Sequence, residues 1–428
     1  MTDSMVRTTD SLPGARPADP ASPTHMRRAP AREYDAILFA SFGGPEGQED
    51  VIPFLRNVTR GRGIPDERLE EVAGHYRALG GVSPITAQNR DLIARLEVEL
   101  ASRGIDLPVH FGNRNWSPFV GEVVRHLHAE GKRNVLGIVT SAYSSYSSCR
   151  QYREDFGMAL RGNGLHETQT DDPLRIDKVR VYFDHPGFLD PVADGLRTAL
   201  AELAAEGVAT DRIRVLFSTH SVPLSMAQAS GPAETRREGS GGWYVDQHLA
   251  GCRHVVEQLG SEMGGARWQL VFQSRSGAPH IPWLEPDVND VIEQLAGEDE
   301  AEAVVVVPIG FVTDHVEVIW DLDTEARETA AEHGLGFRRV ATSGSDPRFV
   351  AALADLVQER LDPDFPRREA TDFGPTPDLC GPDCCTGRLC RPTTSAVDSA
   401  DDVERAIAEG TDPATGTDPA ATTGGDAR

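Results

Sequence analysis

Residues 34 to 365 alternate short apolar runs with longer stretches in which apolar positions recur every three or four residues. The runs fall at 35–41 (DAILFAS), 107–112 (LPVHFG), 134–140 (NVLGIVT), 178–183 (KVRVYF), 212–218 (RIRVLFS), 267–273 (RWQLVFQ), 303–309 (AVVVVPI) and 337–342 (FRRVAT). Helical periodicity covers 91–102, 118–130, 191–206, 243–260, 288–295 and 347–361. Near-continuous apolar strands are buried on both faces, and strands separated by helices pair in parallel. The pattern predicts an α/β protein with two similar doubly wound, Rossmann-like or flavodoxin-like parallel-sheet domains. The expected units are 34–190 and 191–365, with an active-site cleft between them, followed by a cysteine-bearing segment at 366–390.

Polar residues collect where the runs end. Ser41 and Phe42 follow the first, Asn113 and Arg114 the second, and a Ser/Tyr stretch from Ser141 the third. His220 follows the fifth, Ser274 and Arg275 the sixth, and Asp314, His315 and Glu317 the seventh. The carboxyl ends of parallel strands form the crevice in which α/β proteins bind ligands, so this rim is the candidate site. In RIRVLFSTHSVPLS, Pro223 removes a ladder donor just past the histidine and places His220 at a strand exit.

A net charge of −25 and a pI near 4.9 argue against a general surface for nucleic acid or anionic membrane. No run approaches the roughly 20 apolar residues of a membrane span, and the N-terminus lacks the apolar centre of a secretory signal, so a cytoplasmic chain is expected. Proline-rich residues 1–33 and the Asp/Thr/Ala/Gly-rich residues 391–428 are expected to be disordered. Phe42-Gly43-Gly44-Pro45 lacks the glycine spacing of a dinucleotide loop.

FASFGGPEG, RALGGVSPI, FGNRNWSPF, FSTHSVP and PIGFVTDHVEVIWDLDTEA occur in this order and together resemble the ferrochelatases, which insert ferrous iron into a porphyrin. The Ser/Tyr stretch SSYSSCRQYRED and the cysteine-bearing tail resemble the actinobacterial branch, whose members act on coproporphyrin III and hold a two-iron two-sulfur cluster. The resemblance implies haem biosynthesis, with Fe(II) and a porphyrin as substrates. It further implies a monomer in transient contact with neighbouring haem-pathway enzymes. Protoporphyrin IX as substrate and a noncatalytic haem- or porphyrin-binding protein are the alternatives.

Metallating a porphyrin requires removal of two pyrrole protons and dehydration of Fe(II). Imidazole suits the first task because its pKa lies near neutrality, and it can also touch the metal. The resemblance makes His220 that histidine and Glu317 its partner across the cavity. Glu317, Asp321 and Glu325, spaced i, i+4 and i+8, would line one face of a helix. Phe42, Tyr146, Tyr152 and Trp283 could supply apolar faces for the macrocycle. By the same resemblance Phe42 stands where relatives carry a tyrosine, Ser83 and Tyr152 match porphyrin-contacting positions, and Thr59 and His75 stand where relatives have arginine.

Of six cysteines, Cys149 and Cys252 stand alone, whereas Cys380, Cys384, Cys385 and Cys390 crowd one segment. Crowding of this kind in a cytosolic chain favours metal or cluster ligation over disulfides. The resemblance implies Cys149 and three tail thiols as cluster ligands; spacing leaves open which three, and a zinc site is the runner-up. Cys252, within a helical run, is expected in the core.

Overall fold

The computed structural model describes residue 29 and residues 31–61, 63–236, 241–276, 280–374, 376–378, 380 and 384–387. Most of the terminal stretches expected to be disordered, and Cys390, lie outside them. In the first half, strand β1 (Ala36–Ser41) leads through helices α1 (Val51–Val58), α2 (Asp66–Ala78) and α3 (Ile85–Ser102) to β2 (Val109–Asn113). Helix α4 (Val120–Ala129), β3 (Asn134–Val139), a π-helical turn (Tyr146–Arg150), α5 (Gln151–Gly162) and β4 (Arg175–Lys178) complete it.

The second half opens with α6 (Pro186–Ala205), β5 (Ile213–His220), α7 (Leu224–Gln228), α8 (Gly242–Leu259) and β6 (Arg267–Gln273). It continues through α9 (Val288–Gly297), β7 (Ala303–Val307), α10 (Val316–Val318) and a second π-helical stretch, Ile319–Ala326. Helix α11 (Arg327–Glu332), β8 (Gly336–Arg339) and α12 (Pro347–Leu361) close it.

All pairings between these strands are parallel, in two sheets of order β2-β1-β3-β4 and β6-β5-β7-β8. The expected fold class is therefore observed, and β1, β5 and β7 owe their unbroken apolar runs to burial on both faces. The inner faces of the sheets share one core: Phe39 and Ile138 of the first and Phe217 and Val305 of the second pack with residues of α3, α6, α8 and α12. The outer faces have smaller cores, one with α4 and α5 and the other with α9 and α11. Helices α1 and α2 form a separate cluster that reaches across to Val316 of the second half.

Three expectations need correction. The fourth strand ends at Lys178 instead of running over 178–183. Arg180 turns inward there, fully buried, to pair with Asp184 and Glu359, each at 2.8 Å. A buried guanidinium is tolerable only among carboxylates, and Glu359 lies on α12, away from the ladder. Strand β5 continues through Thr219 and His220, whose register partners are Phe272 and Gln273. Finally, part of the N-terminal stretch is tied down: the Ala29 amide donates to Asp378 at 2.8 Å and the Arg32 amide to the Arg360 carbonyl at 3.3 Å.

Candidate active site

His220 ends β5, and its Nδ1 is in close contact with the Ser221 carbonyl. A carbonyl only accepts, so Nδ1 carries the ring hydrogen and the Nε2 lone pair is left free. Nε2 faces Glu317 Oε2 at 3.6 Å. Both side chains are partly exposed, at 36% and 46%, so the pair is reachable from solvent. The backbone beneath is fixed: the Ser221 amide donates to the Gln273 carbonyl at 2.8 Å, and the Tyr244 hydroxyl donates to the His220 carbonyl at 2.8 Å.

The acids that the sequence groups together are separated by their partners. Arg339 pairs with Asp314 at 3.1 Å and with Asp323 at 2.7 Å, whereas Glu317 faces His220 and Asp321 faces Ser274. Asp321 accepts from the Ser274 hydroxyl and, at 3.3 Å, from Gln273 Nε2, while Gln273 Oε1 takes the Ser218 hydroxyl at 2.6 Å. Burial pushes the Asp321 carboxyl up to about 7, with the negative charges of Glu317 and Glu325 adding to the rise. His315, set against the Phe311 ring at 5.4 Å, is held below its ordinary pKa by burial and stays neutral at pH 7.

The i, i+4, i+8 spacing does not sit on a simple α-helix, because Ile319–Ala326 is π-wound. Such turns are wider than α-turns and recur at functional sites. Glu325 takes a hydrogen bond from Trp320 Nε1 at 2.7 Å, and the Trp320 ring stacks on His75 at 4.3 Å and 9°, joining α2 to the second half.

The other predicted contacts differ in exposure. Phe42 is 37% exposed at the exit of β1, and its ring meets Phe54 edge-on at 6.2 Å. Phe54 in turn touches Tyr76 and Trp116, so Phe42 stands on an aromatic base. Ser83 is buried against the Gly44 turn, where an added Cβ would come within 2.6 Å of the serine. Tyr152 is buried too, under the Arg114 guanidinium, which lies 4.0 Å from its ring centroid. The Thr59 hydroxyl caps α1 by donating to the Leu55 carbonyl at 2.7 Å. Trp283 braces the loop after His220 through a bridge to Pro223. Sequence reading did not single out Gln273 or Tyr244; each becomes visible only once the register and packing around His220 are known.

Cys149, Cys384 and Cys385 are buried, Cys380 is partly so, and Cys252 lies in the core as expected. Cys149 contacts Cys380, Cys380 contacts Cys384, and Cys384 lies 3.8 Å from Cys385, sulfur to sulfur. These contacts link the four thiols in a chain, and among the described residues no three His, Cys, Asp or Glu side chains converge to hold a metal ion. A cavity beside them is lined by Cys149, Cys380, Cys384, Arg153, Lys178 and Arg360, among others. Hydrogen bonds from Cys149 and Cys384 hold the Cys380 thiol well below its usual pKa.

The ferrochelatase family model matches residues 34–361. The chain belongs to the ferrochelatase family. It is thus an enzyme of that type, with Fe(II) and a porphyrin as its substrates. A coproporphyrin III ferrochelatase of Leifsonia xyli subsp. xyli is 53% identical over 382 residues, 87% of this chain and 95% of its own length. One from Streptomyces griseus subsp. griseus is 50% identical, covering 86% of this chain and 97% of its own. A ferrochelatase of Rhodopirellula baltica is 44% identical, covering 82% and 93%. Among solved structures, SirB from Bacillus subtilis with Fe3+ overlaps 78% of this chain and 99% of its own at 11% identity and a TM-score of 0.43, a distant likeness. Among the described residues no helix is long and apolar enough to cross a membrane.

Proposed function

We propose that the enzyme inserts Fe(II) into coproporphyrin III, with His220 as the base that receives pyrrole protons and Glu317 as the carboxylate that passes them on or holds the incoming ion. The observation that carries this reading is the free Nε2 of His220 facing Glu317 across 3.6 Å at the strand exits. Two groups of complementary proton affinity at this separation can hand on a proton or share an ion. Asp321, with a pKa near 7, can take up and release protons in the working range and stands next in line behind Glu317. Phe42 offers the macrocycle an exposed aromatic face, and the buried Ser83 and Tyr152 act as supports for the propionate-facing rim. The choice of coproporphyrin rests on the names of relatives at about half identity over most of their length.

The test is competition under anaerobic Fe(II): coproporphyrin III and protoporphyrin IX at equal concentration, with each metalloporphyrin quantified. Preferential metallation of coproporphyrin is expected, and preference for protoporphyrin would overturn the substrate assignment. Absence of multiple turnovers with either would favour a noncatalytic porphyrin carrier. A monomeric, cytoplasmic enzyme in transient contact with neighbouring haem-pathway enzymes completes the proposal.

The donor set also fits a two-iron two-sulfur cluster. Such a cluster takes two thiolates per iron, four in all, the number that Cys149, Cys380, Cys384 and Cys385 supply. Arg153, Lys178 and Arg360 beside the thiols would offset the cluster's negative charge. Cys149 with Cys380, Cys384 and Cys385 is the available set among the described residues; Cys390 lies outside them. When bound, the cluster would crosslink the Ser/Tyr loop to the C-terminal segment through Fe–S bonds. Iron analysis and the visible spectrum of the purified protein test this, and a colourless protein with about one zinc per chain would replace it by the zinc site.

A further inference from the structure

Cys385 is clipped to the Gly231 turn by two hydrogen bonds, one in each direction. Its amide donates to the Gly231 carbonyl at 3.2 Å, and the Gly231 amide donates to its sulfur at 3.2 Å. Gly231 has φ +83, and an added Cβ would lie 2.5 Å from the Trp243 ring, so this turn can come close to the sulfur only as glycine. The next link is Ser230, whose Oγ accepts the Tyr244 amide at 2.8 Å at the start of α8. Tyr244 then reaches the catalytic strand, its hydroxyl 2.8 Å from the His220 carbonyl and 3.0 Å from Thr219 Oγ1.

Proton counting fixes the direction of this link. Burial pushes the His248 pKa down to about 3, so the ring is neutral and carries a single N–H. Nδ1 lies 2.6 Å from the Tyr244 carbonyl, which can only accept, so Nδ1 holds the hydrogen. Nε2 must then accept, and it takes the Thr219 hydroxyl hydrogen at 2.9 Å. With the Thr219 hydrogen committed to His248, Thr219 Oγ1 can only accept from Tyr244, so the one Tyr244 hydroxyl hydrogen is directed at the His220 carbonyl at 2.8 Å with Thr219 Oγ1 as the longer acceptor at 3.0 Å. Tyr244 is therefore the donor toward the end of β5, and the His220 carbonyl is its shorter contact.

We propose that Tyr244 is a positioning residue that couples the seating of Cys385 on the Gly231 turn to the placement of His220. Tyr244 is buried and holds the carbonyl beneath the base. The tail segment thereby bears on a residue at the exit of β5 through hydrogen bonds between 385 and 231, between 230 and 244 and between 244 and 220, with 231 and 230 joined by their peptide bond. This inference rests on the reading of His220 as the base, but its primary readout does not.

The experiment compares Tyr244→Phe, Cys385→Ser and the double variant in the full-length protein, following the His220 imidazole by NMR after ring-specific isotope labelling and assigning it by its loss in His220→Ala. Tyr244→Phe keeps the ring and deletes the hydroxyl with its contacts to the His220 carbonyl and Thr219 Oγ1. It should shift the His220 signal and lower kcat roughly 10-fold, with the porphyrin KM, the visible spectrum and Tm unchanged. Cys385→Ser should shift the same signal in the wild-type background and leave it unmoved in the Tyr244→Phe background. Equal shifts in both backgrounds would overturn the coupling, as would an unmoved signal in Tyr244→Phe. Should Cys385→Ser fail to fold, Ser230→Ala breaks the chain at its middle and must reproduce the Tyr244→Phe shift with the tail thiols intact. A fully active His220→Ala variant would refute the assignment of the base while leaving the NMR test of the coupling readable.

Discussion

The two halves have matching strand orders, and each follows its third strand with a π-helical turn that runs into a helix. After β3 the turn is Tyr146–Arg150 and carries Cys149, 4% exposed, facing the tail thiols. After β7 it is Ile319–Ala326 and carries Asp321 beside the partly exposed Glu317. The same local device thus presents a sulfur to the tail thiols in one half and a carboxylate to the exit of β6 in the other. The winding supplies a side chain at an unusual angle, and its surroundings set how readily that side chain ionises. The β5 exit extends the contrast: its counterpart at the β1 exit ends in Ser41 and Phe42, which offer packing where His220 offers a lone pair.

If the chemistry resides in the second half, His220→Ala should give the largest loss. Turnover should fall about 100-fold or more, since a positioned base is worth that much, while the melting temperature stays near wild type because the ring is partly exposed. Wild-type-like turnover would remove His220 from the mechanism. Glu317→Gln comes next, keeping the shape and deleting the charge. A fall in kcat of about 10- to 100-fold with little change in porphyrin KM is expected. A change confined to KM would reassign Glu317 to substrate positioning.

Cys149→Ser probes the other side of the comparison. If the proposed cluster is bound, its visible absorption should disappear, and Tm should fall by about 5–10 °C as the crosslink between the loop and the tail is lost. Activity at temperatures well below the new Tm should be reduced far less than in His220→Ala. A Cys149→Ser protein of normal stability but severely reduced kcat would move the first-half turn into the chemistry and break the contrast between the halves.

Much of this was legible in the sequence because parallel strands are read by burial: 35–41, 134–140 and 267–273 sit within a residue of the observed strands. His220 could be found from the apolar run before it and the proline after it. The fourth strand was misplaced because Val179, Val181 and Tyr182 are apolar for a different reason, packing into the central core beside the buried Arg180. Periodicity cannot tell a strand from an apolar segment that lies against helices. The division of the acids was equally hidden, since Arg339, which neutralises Asp314 and Asp323, arrives from β8, sixteen residues beyond Asp323. Nor does sequence reveal that Asp321 would lie beside Gln273 and Ser274 of another strand exit.

Asp321 gives the finest test of what burial does to a carboxyl at such a turn. Its pKa is raised by burial from the ordinary aspartate range to about 7, so in the folded protein it is protonated below neutrality and charged above. A folded-state pKa above the unfolded one means that folding is favoured by this group at low pH. That advantage is lost as pH rises from the aspartate range through about 7, where the folded protein must carry a poorly solvated charge. Asp321→Asn keeps an oxygen that can accept from Ser274 and Gln273 but never ionises. The variant should therefore gain in Tm over wild type as pH rises from 5 to 8, by roughly 1–3 °C, a small effect because the side chain is only partly buried. If Asp321 also relays protons, the variant should lose the limb of the turnover–pH profile that titrates near 7 while keeping the stability gain. Equal Tm differences at pH 5 and pH 8 would show that this carboxyl titrates in the ordinary range, and that the second-half turn does not tune it.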